Sequence, residues 1–406
     1  MSLSEFGEGT IKETKQKNKY IQSPGRGLLL FFFIFFLFIS CFNNSHAKEI
    51  YKTKNFKVKL KGYLKTLWVF IDDNTTDTGY TQNVNRLRLQ TDAFYKENLK
   101  LRLIYDMEGI TGNIVSTPMW SQLKNDQVYS YWDLTSGKYL NSSTYIRHSL
   151  YRAYLYYDAK FAQFTLGKQR VAWGVMRFWR PTDMFNPETP LQIEPGERLG
   201  IDAIHMSMPL GAGNIEGLYS QSRLPGYNMG AGKYHFTLGE YDIGVIGGKI
   251  RENNVAGFTF DGYIGNGGFR GEAARIKPDF KDAYYLWSVG GDYSFKKLTL
   301  TLEYLNNGGA TGSPIDPFEP NPGLIRTRRK QFVGLSAVYD VTPLIKFNGF
   351  VSRDIDGGST AFSPRINWNY AENVEISIGG VFYNAKPGSE YEGYPTTYLG
   401  DIKYYF

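Results

Sequence analysis

The last nine residues of the chain, Tyr398–Phe406, read YLGDIKYYF and alternate between two kinds of side chain. Residues two apart lie on the same face of a β-strand. One face is apolar and rich in aromatic rings, and it consists of Tyr398, Gly400, Ile402, Tyr404 and Phe406. The stretch is therefore predicted to be a strand. Chain ends usually fray, so an aromatic strand that extends to the last residue indicates that this end is held or recognised by something.

The same alternation occurs near the start of the chain. In FKVKLKGYLKTLWVF, Phe56–Phe70, apolar residues at even positions oppose lysines at odd positions. RLRLQTDAFY, which begins at Arg86, and NLKLRLIYDMEG, which begins at Asn98, repeat this pattern. Segments of ~10 residues with a single apolar face are typical of transmembrane β-strands. The predicted inner, water-facing residues that set solute selectivity are Lys57, Lys59, Lys61, Arg86, Arg88, Lys100, Arg102 and Arg152.

A soluble β-sandwich also alternates, so the connections decide between the two folds. Short links are predicted at 96–98, 158–160, 209–213, 251–254, 294–297, 340–343 and 371–373. They alternate with mostly longer links at 72–82, 109–145, 174–198, 221–239, 265–282, 306–329 and 385–396. Short turns at one end and long loops at the other are the asymmetry of an outer-membrane barrel. We therefore predict an all-β transmembrane antiparallel barrel of about 16 strands (range 14–18), in which the last strand pairs with the first and leaves no open edge.

A leader precedes the barrel. Five basic residues are followed by the apolar run LLLFFFIFFLFIS, Leu28–Ser40, and then by Ser45-His46-Ala47. The apolar run is 13 residues long, shorter than the ~20 that a spanning helix needs, so residues 1–47 are predicted to be a cleaved signal peptide. An alternative stays open, because Ile39-Ser40-Cys41 is similar to a lipoprotein box with Phe38 where leucine is usual.

Removal of residues 1–47 takes away five basic and three acidic residues, which lowers the net charge from +7 to +5. It also removes Cys41, the only cysteine, so residues 48–406 contain no disulfide and no cysteine metal site. No linker divides this region, which is predicted to be one barrel domain.

The leader, the absence of cysteine, the even strand count and the terminal Phe406 together resemble a Gram-negative outer-membrane porin. In that class, the ending is the signal that the outer-membrane assembly machinery reads, and Tyr398, Ile402, Tyr404 and Phe406 occupy the matching positions. LGKQRVAWG, Leu166–Gly174, is similar to phosphate-selective and alginate-export porins. The resemblance implies a location in the outer membrane, in contact with lipid and lipopolysaccharide.

The resemblance also implies that the segment 174–198 folds into the barrel and narrows the pore, as the third loop of 16-stranded porins does. Its predicted constriction residues are Arg177, Arg180, Asp183, Glu188, Glu194 and Glu197. Its acidic side chains are expected to face the basic residues of the first strands across water, which would create a transverse electric field. A surface loop closed by local salt bridges is the alternative. Trp173, Phe178 and Trp179 are expected to belong to the aromatic girdle at the membrane edge, or else to a stacking track for sugar rings.

The function predicted from the sequence is passive diffusion of small hydrophilic solutes with a preference for anions. Two alternatives stay open: a substrate-specific channel for phosphate-like anions or acidic oligosaccharides, and a barrel-embedded hydrolase. The hydrolase is disfavoured because His148 and Ser149, the only adjacent histidine–serine pair in residues 48–406, face opposite sides of a strand. We expect no enzymatic activity, no cofactor, no metal and no nucleic-acid partner. The long link 109–145 is expected to latch onto a neighbouring subunit in a homotrimer, as in trimeric porins.

Overall fold

The computed structural model describes residues 48–73, 78–124, 130–185, 190–194, 197, 200–315 and 324–406. The predicted signal peptide, 1–47, lies outside these residues. The strands are β1 Lys48–Lys52, β2 Phe56–Asp73, β3 Thr78–Tyr95, β4 Leu99–Thr111, β5 Thr135–Asn141, β6 Thr144–Asp158, β7 Gln163–Gln169, β8 Ile201–Leu210, β9 Gly213–Ser220, β10 Met229–Leu238, β11 Tyr241–Ile250, β12 Asn253–Ile264, β13 Gly267–Pro278, β14 Tyr284–Phe295, β15 Leu298–Asn307, β16 Gln331–Asp340, β17 Ile345–Asp354, β18 Thr360–Ala371, β19 Val374–Asn384 and β20 Thr396–Tyr405. A 3₁₀-helix covers Asn113–Ser116, and the short helix α1 covers Pro118–Leu123.

The described strands form a closed antiparallel barrel. Its 18 wall strands are β2 to β4 and β6 to β20, each paired with the next along the chain. The barrel closes where β20 pairs with β2, from Tyr63 opposite Tyr405 to Asp72 opposite Thr396. This arrangement confirms the predicted all-β barrel and the predicted pairing of the last strand with the first.

The number of wall strands among the described residues lies at the upper end of the predicted range and exceeds the central estimate by two. The two additional strands are β10 and β13, which lie inside links that were predicted to be loops. Because β10 intervenes, the turn between β11 and β12 at residues 251–252 lies at the long-loop end and not, as predicted, at the short-turn end.

The two faces of the wall differ as the alternation predicts. Large apolar side chains such as Phe70, Leu302 and Ile378 project outward and are 52%, 55% and 63% exposed. The inner face of the long-loop half carries two buried apolar clusters. One of them includes Leu67, Val69 and Val84 of the inner wall, and the other includes Leu286, Leu305 and Phe332.

The strand β5 completes the wall where β7 is short. It pairs with the first residues of β6, from Thr135 opposite Ser149, whereas β7 pairs with β6 only from Ala153 onward. The chain just before β5 is joined to β8, because the Trp132 amide donates to Asp202 Oδ2 over 3.0 Å. The chain that follows β7 is therefore free to turn toward the interior. No helix among the described residues has the length and apolar character needed to cross a membrane.

Candidate functional site: a segment folded into the barrel

The connection between β7 and β8 contacts inward-facing residues of the far wall. Glu272 of β13 is 3% exposed, and its Oε1 accepts hydrogen bonds from the amides of Val175 and Met176, the latter over 2.7 Å. Its Oε2 accepts from both the amide (2.8 Å) and the hydroxyl (2.7 Å) of Thr182. One carboxylate thus satisfies four donors, and this fixes the turn that spans residues 175–182.

Glu303 of β15 holds the centre of the same turn. It is 1% exposed and accepts from the amide of Arg177 over 2.6 Å and from the amide of Phe178 over 2.9 Å. A buried carboxylate is stable only when hydrogen bonds compensate for its lost hydration. The backbone donors of the segment supply those bonds, so the wall and the segment depend on each other.

The other end of the segment contacts the near wall through ion pairs. Glu194 accepts two parallel hydrogen bonds from the Arg86 guanidinium, both 2.9 Å long, and a third from Lys65 Nζ over 2.8 Å. Glu197 accepts two bonds of 2.9 Å from Arg88 in the same way. Paired N–H to carboxylate bonds of this kind combine charge with a defined orientation.

Each of these arginines is also paired along the wall. Arg86 Nε donates to Glu108 Oε1 over 2.6 Å, and Arg88 Nε donates to Asp106 Oδ1 over 2.6 Å. Arg147 donates to the second oxygen of Glu108, also over 2.6 Å. The result is a network in which three arginines alternate with four carboxylates.

The segment therefore joins opposite sides of the barrel. β3 carries Arg86 and Arg88, β13 carries Glu272, and the two strands are nine positions apart in either direction around the 18 described wall strands. The expectation that acidic and basic rows face each other across water is wrong for Glu194 and Glu197, because both contact their arginines directly. Among the other predicted constriction residues, Glu188 lies outside the described residues, and Asp183 is 1% exposed. Arg180 donates to the carbonyl of Met176 over 2.6 Å, and Arg177 lies 4.0 Å from Asp292.

The aromatic residues of the segment are packed inside the barrel. Trp173 is 3% exposed, stacks edge-on against Phe185, and donates from Nε1 to Glu216. Trp179 is 5% exposed and packs against Phe332. Phe178 contacts the inward ring of Phe350, at 4.7 Å between ring centroids. The burial of Trp173 and Trp179 fits neither predicted role, since a membrane girdle requires contact with lipid and a stacking track requires open ring faces; Phe178 is half-buried inside the barrel, which excludes the girdle for it.

The remaining predicted lining residues lie nearer the short-turn end. Lys59 and Lys61 are opposite Asp92 and Gln90 of β3, on the inner face, and Lys57 is paired with Glu49 of β1. Arg102 donates to Asp92 over 2.6 Å, and the Lys100 ammonium lies 3.9 Å from the same carboxylate.

Lys100 and Arg102 border a recess of about 480 Å³ in the inner wall. Arg152 and Arg170 also line it, together with Tyr154, Tyr156 and His205, and none of its described lining residues carries a carboxylate. A second recess, of about 440 Å³, follows it along β4 and β6 toward the long loops and borders the Arg86 and Arg88 network. Arg147 and Arg170 were not among the predicted lining residues.

Part of the long link 109–145 also packs inside the barrel. Ile114, Val115 and Trp120 are 3%, 2% and 5% exposed and belong to the cluster formed by Leu67 and Val69 of the inner wall. These three residues were predicted to be part of a latch on a neighbouring subunit, but their side chains face the interior of the barrel.

The histidine considered for catalysis projects outward. His148 of β6 lies opposite the outward-facing Met107 of β4, and its Nδ1 is 2.5 Å from the hydroxyl of Tyr105. Ser149 is opposite the inward-facing Asp106. The two side chains are on opposite faces of the wall, as the alternation predicts, and cannot act on one substrate.

The C-terminal residues lie at the barrel seam. Tyr398, Ile402 and Tyr404 share the outward face with Phe406, whose amide and carbonyl exchange hydrogen bonds with Gly62 over 3.0 and 2.9 Å. Phe406 is 6% exposed, and its ring approaches Gly62 so closely that a Cβ at Gly62 would lie 2.8 Å from Cζ.

No protein-family model and no curated protein matches the chain. Solved structures do match its fold. OccAB1 of Acinetobacter baumannii superposes with a TM-score of 0.57 over 90% of this chain and 99% of its own, at 9% identity. A BenF-like porin from Pseudomonas fluorescens Pf-5 gives 0.56 over 86% and 98%, at 7% identity. OccK5 (OpdH) of Pseudomonas aeruginosa gives 0.54 over 86% and 97%, at 9% identity. At these identities the likeness establishes the fold alone, and it confirms the β-barrel fold that the resemblance to outer-membrane porins implied.

Proposed function

We propose that the chain is an outer-membrane porin through which small hydrophilic solutes diffuse passively, with a preference for anions. The closed wall with an apolar outer face suits a bilayer, since each of the 18 described wall strands pairs with two neighbours and the ring of strands has no open edge. The shared fold with solved porins supports the same location. The short turns then face the periplasm and the long loops face the exterior.

The observation that carries the anion preference is the recess that Lys100, Arg102, Arg152 and Arg170 line, where Asp92, which pairs with Arg102 and lies 3.9 Å from Lys100, is outside the lining. The neighbouring recess contains three arginines and four carboxylates, so its charges nearly cancel. We therefore assign anion preference to the recess nearer the short turns, and narrowing of the path to the segment 174–198. In a water-filled passage with protein walls, clustered charge of one sign raises the local concentration of the opposite ion.

A substrate-specific channel is the second candidate, and the same recess favours it. Four cationic groups around about 480 Å³ suit a phosphate-like anion, and Tyr154 and Tyr156 provide ring faces for an acidic sugar. Such a site predicts saturable block of the conductance by one solute, whereas simple diffusion does not.

Lipid and the assembly machinery would contact different parts of the outer face. The outer face contacts lipid and lipopolysaccharide, and the strand that contains Tyr398, Ile402, Tyr404 and Phe406 presents its outward side chains to the assembly machinery. A homotrimer stays a prediction, and cross-linking of the purified protein in detergent tests it.

Single-channel recording in bilayers of uncharged lipid tests the function. We expect discrete conductance steps and a reversal potential in a KCl gradient that indicates anion selectivity. A cation-selective or non-conducting protein would contradict the proposal. Titration with inorganic phosphate separates the two candidates, because saturable block indicates a binding site.

A further inference from the structure

We propose that a groove at the short-turn rim of the barrel binds the phosphate group of an anionic phospholipid. The groove has a volume of about 710 Å³ and lies where the turn before β2, the β3–β4 turn and the β6–β7 turn meet. The proposal rests on the proposed membrane location but not on solute selectivity.

The three turns are joined by backbone hydrogen bonds. The Lys96 amide donates to the carbonyl of Asn55 over 2.6 Å, and the Asp158 amide donates to the carbonyl of Asn98 over 2.8 Å. The turn before β2 is closed by a bond from the Phe56 amide to Thr53 Oγ1, 3.1 Å long. The groove is therefore a built feature of the rim and does not depend on a single exposed loop.

The groove is basic. Its lining includes Lys52, Lys54, Lys57, Lys96 and Lys160, against Glu97 and Asp158. Lys52 and Lys57 share Glu49 as an ion-pair partner. Within the described part of the chain, Lys54, Lys96 and Lys160 form no ion pair, so three ammonium groups are available to an added anion.

Two of these lysines have a left-handed backbone conformation. Lys96 and Lys160 have φ values of 50° and 70°, in the left-handed region that disfavours side chains with a Cβ. Three other short turns place glycine in this region, at Gly211, Gly239 and Gly265. Lys296, in the β14–β15 short turn, has the same conformation, so the particular feature of the groove is that two such lysines line it together.

The surroundings of the groove favour a lipid over a free ion. The rings of Phe56, Tyr95, Tyr157 and Phe161 are 37%, 47%, 42% and 70% exposed at the same rim. Aromatic rings concentrate at the level of lipid headgroups, and basic pockets at that level bind anionic headgroups. A phospholipid can satisfy both features, with its phosphate on the lysines and its chains against the outer wall.

Native mass spectrometry of the full chain in detergent tests this proposal, with phosphatidylglycerol as the probe and phosphatidylcholine as the neutral reference. The test variant is Lys96→Asn/Lys160→Asn, because asparagine tolerates the left-handed conformation. The control variant is Lys296→Asn/Lys297→Asn, at the β14–β15 short turn, where Lys296 has a φ of 44°. We expect phosphatidylglycerol to bind about fivefold more weakly for each rim lysine removed, and the control to match the wild type.

The outcomes decide the proposal. Unchanged binding by Lys96→Asn/Lys160→Asn, or an equal loss in the control variant, would overturn it. Displacement of the lipid by an equal concentration of inorganic phosphate would also overturn it, because the site would then recognise the free ion. If the asparagine variant does not fold, Lys96→Arg/Lys160→Arg keeps the charge and should bind like the wild type, whereas loss of binding in this folded variant would count against the site. Channel recordings in uncharged lipid are independent of this result.

Discussion

Arg86 and Glu194 form a planar, two-pronged ion pair across the inside of the barrel, with both N–O distances at 2.9 Å. The pair joins the wall strand β3 to the segment that leaves the wall after β7. Burial disfavours the charged form of Glu194, but the nearby charges of Arg86 and Lys65 prevail and lower its pKa to about 2. The attachment is therefore expected to persist throughout the physiological pH range, because Glu194 stays ionised until the pH falls close to 2.

Neutralising this attachment should change the channel. We expect Glu194→Gln/Glu197→Gln to increase both the single-channel conductance and the anion preference, because Arg86 and Arg88 each lose one carboxylate partner. Two unit charges ~4 Å apart interact by roughly 4 kcal/mol at an effective dielectric constant of 20, so guanidinium groups that have lost a carboxylate partner should attract permeant anions. Reversal potentials in a KCl gradient measure the effect.

Glu392→Gln is the matched control for this variant, since Glu392 is exposed in the link between β19 and β20 and pairs with Arg328. It should leave selectivity unchanged. If the double variant conducts like the wild type, the attachment does not lie on the permeation path.

The basic recess gives a second prediction. Lys59→Glu/Lys61→Glu/Lys100→Glu should shift the reversal potential toward cations, because these side chains line the inner face and Lys100 borders the recess. The shift should shrink in concentrated salt, as the Debye length falls from ~10 Å at 0.1 M to ~3 Å at 1 M. Lys296→Glu, at a short turn, serves as the control. An unchanged reversal potential in the triple variant would show that these lysines do not line the conducting path.

Arg86→Glu and Arg88→Glu should behave differently from the lysine variants. Each would place a new carboxylate beside Glu108 or Asp106 and beside the segment's own glutamates. Leaving a buried charge without its partner typically costs ~3 to 5 kcal/mol. We expect these two variants to yield much less folded barrel on gels of unheated samples, whereas the lysine variants should fold normally.

The sequence predicted the barrel because most strands have a continuous apolar outer face, and it failed where that face is interrupted. In β13 the outward positions include Phe269 but also Gly271 and Arg275. In β10 the outward positions include Gly230 and Gly232. Glycine and charge at these positions remove the period of two, so both strands resemble loops in the sequence.

The candidate site was only partly predictable for a related reason. Alternation identifies the inner face, so Arg86 and Arg88 were found, but it carries no information about contacts across the interior. Glu272 and Glu303 were missed because a single inward carboxylate on a strand is ordinary, and their role appears only once the segment lies against them. The burial of Trp173 and Trp179 was not predicted for the same reason, since the sequence does not show which part of the inner wall these side chains contact.

Glu390 provides a prediction on pH. It lies in the link between β19 and β20, where burial, strengthened by the nearby Asp354, raises its pKa to about 7 despite hydrogen bonds from the Arg328 and Arg329 amides. The folded state therefore holds a proton that the unfolded state releases above its ordinary pKa of 4.5. Stability should fall as the pH rises from about 4.5 to about 7 and then level off.

Glu390→Gln removes this dependence while keeping an oxygen acceptor for the Arg329 amide, which donates over 2.9 Å in the wild type. At pH 8 we expect the variant to be more stable by ~1 to 3 kcal/mol, and at pH 4.5 we expect no gain. Urea unfolding in detergent at both pH values measures the difference. Glu392→Gln, in the same link, should show no gain at pH 8. An equal effect of Glu390→Gln at both pH values would show that burial of the charge is not the cause.

The seam between the first and last wall strands gives the final prediction. A Cβ at Gly62 would lie 2.8 Å from Cζ of Phe406, and it would also meet the carbonyl oxygen of Arg88. Gly62→Val should therefore displace the Phe406 ring and weaken the pairing of β20 with β2, with a cost of ~1 to 3 kcal/mol from overpacking alone. Phe406→Asp should weaken the same seam by placing a charge where an apolar ring is buried. Both variants are expected to reach the periplasm but to give less folded, heat-modifiable barrel in the outer membrane.

Gly247→Val is the matched control, because a Cβ at Gly247 meets nothing within 4 Å. Wild-type amounts of folded barrel from Gly62→Val would mean that the contact between Gly62 and Phe406 does not govern closure, and normal assembly of Phe406→Asp would remove the ring from the assembly signal.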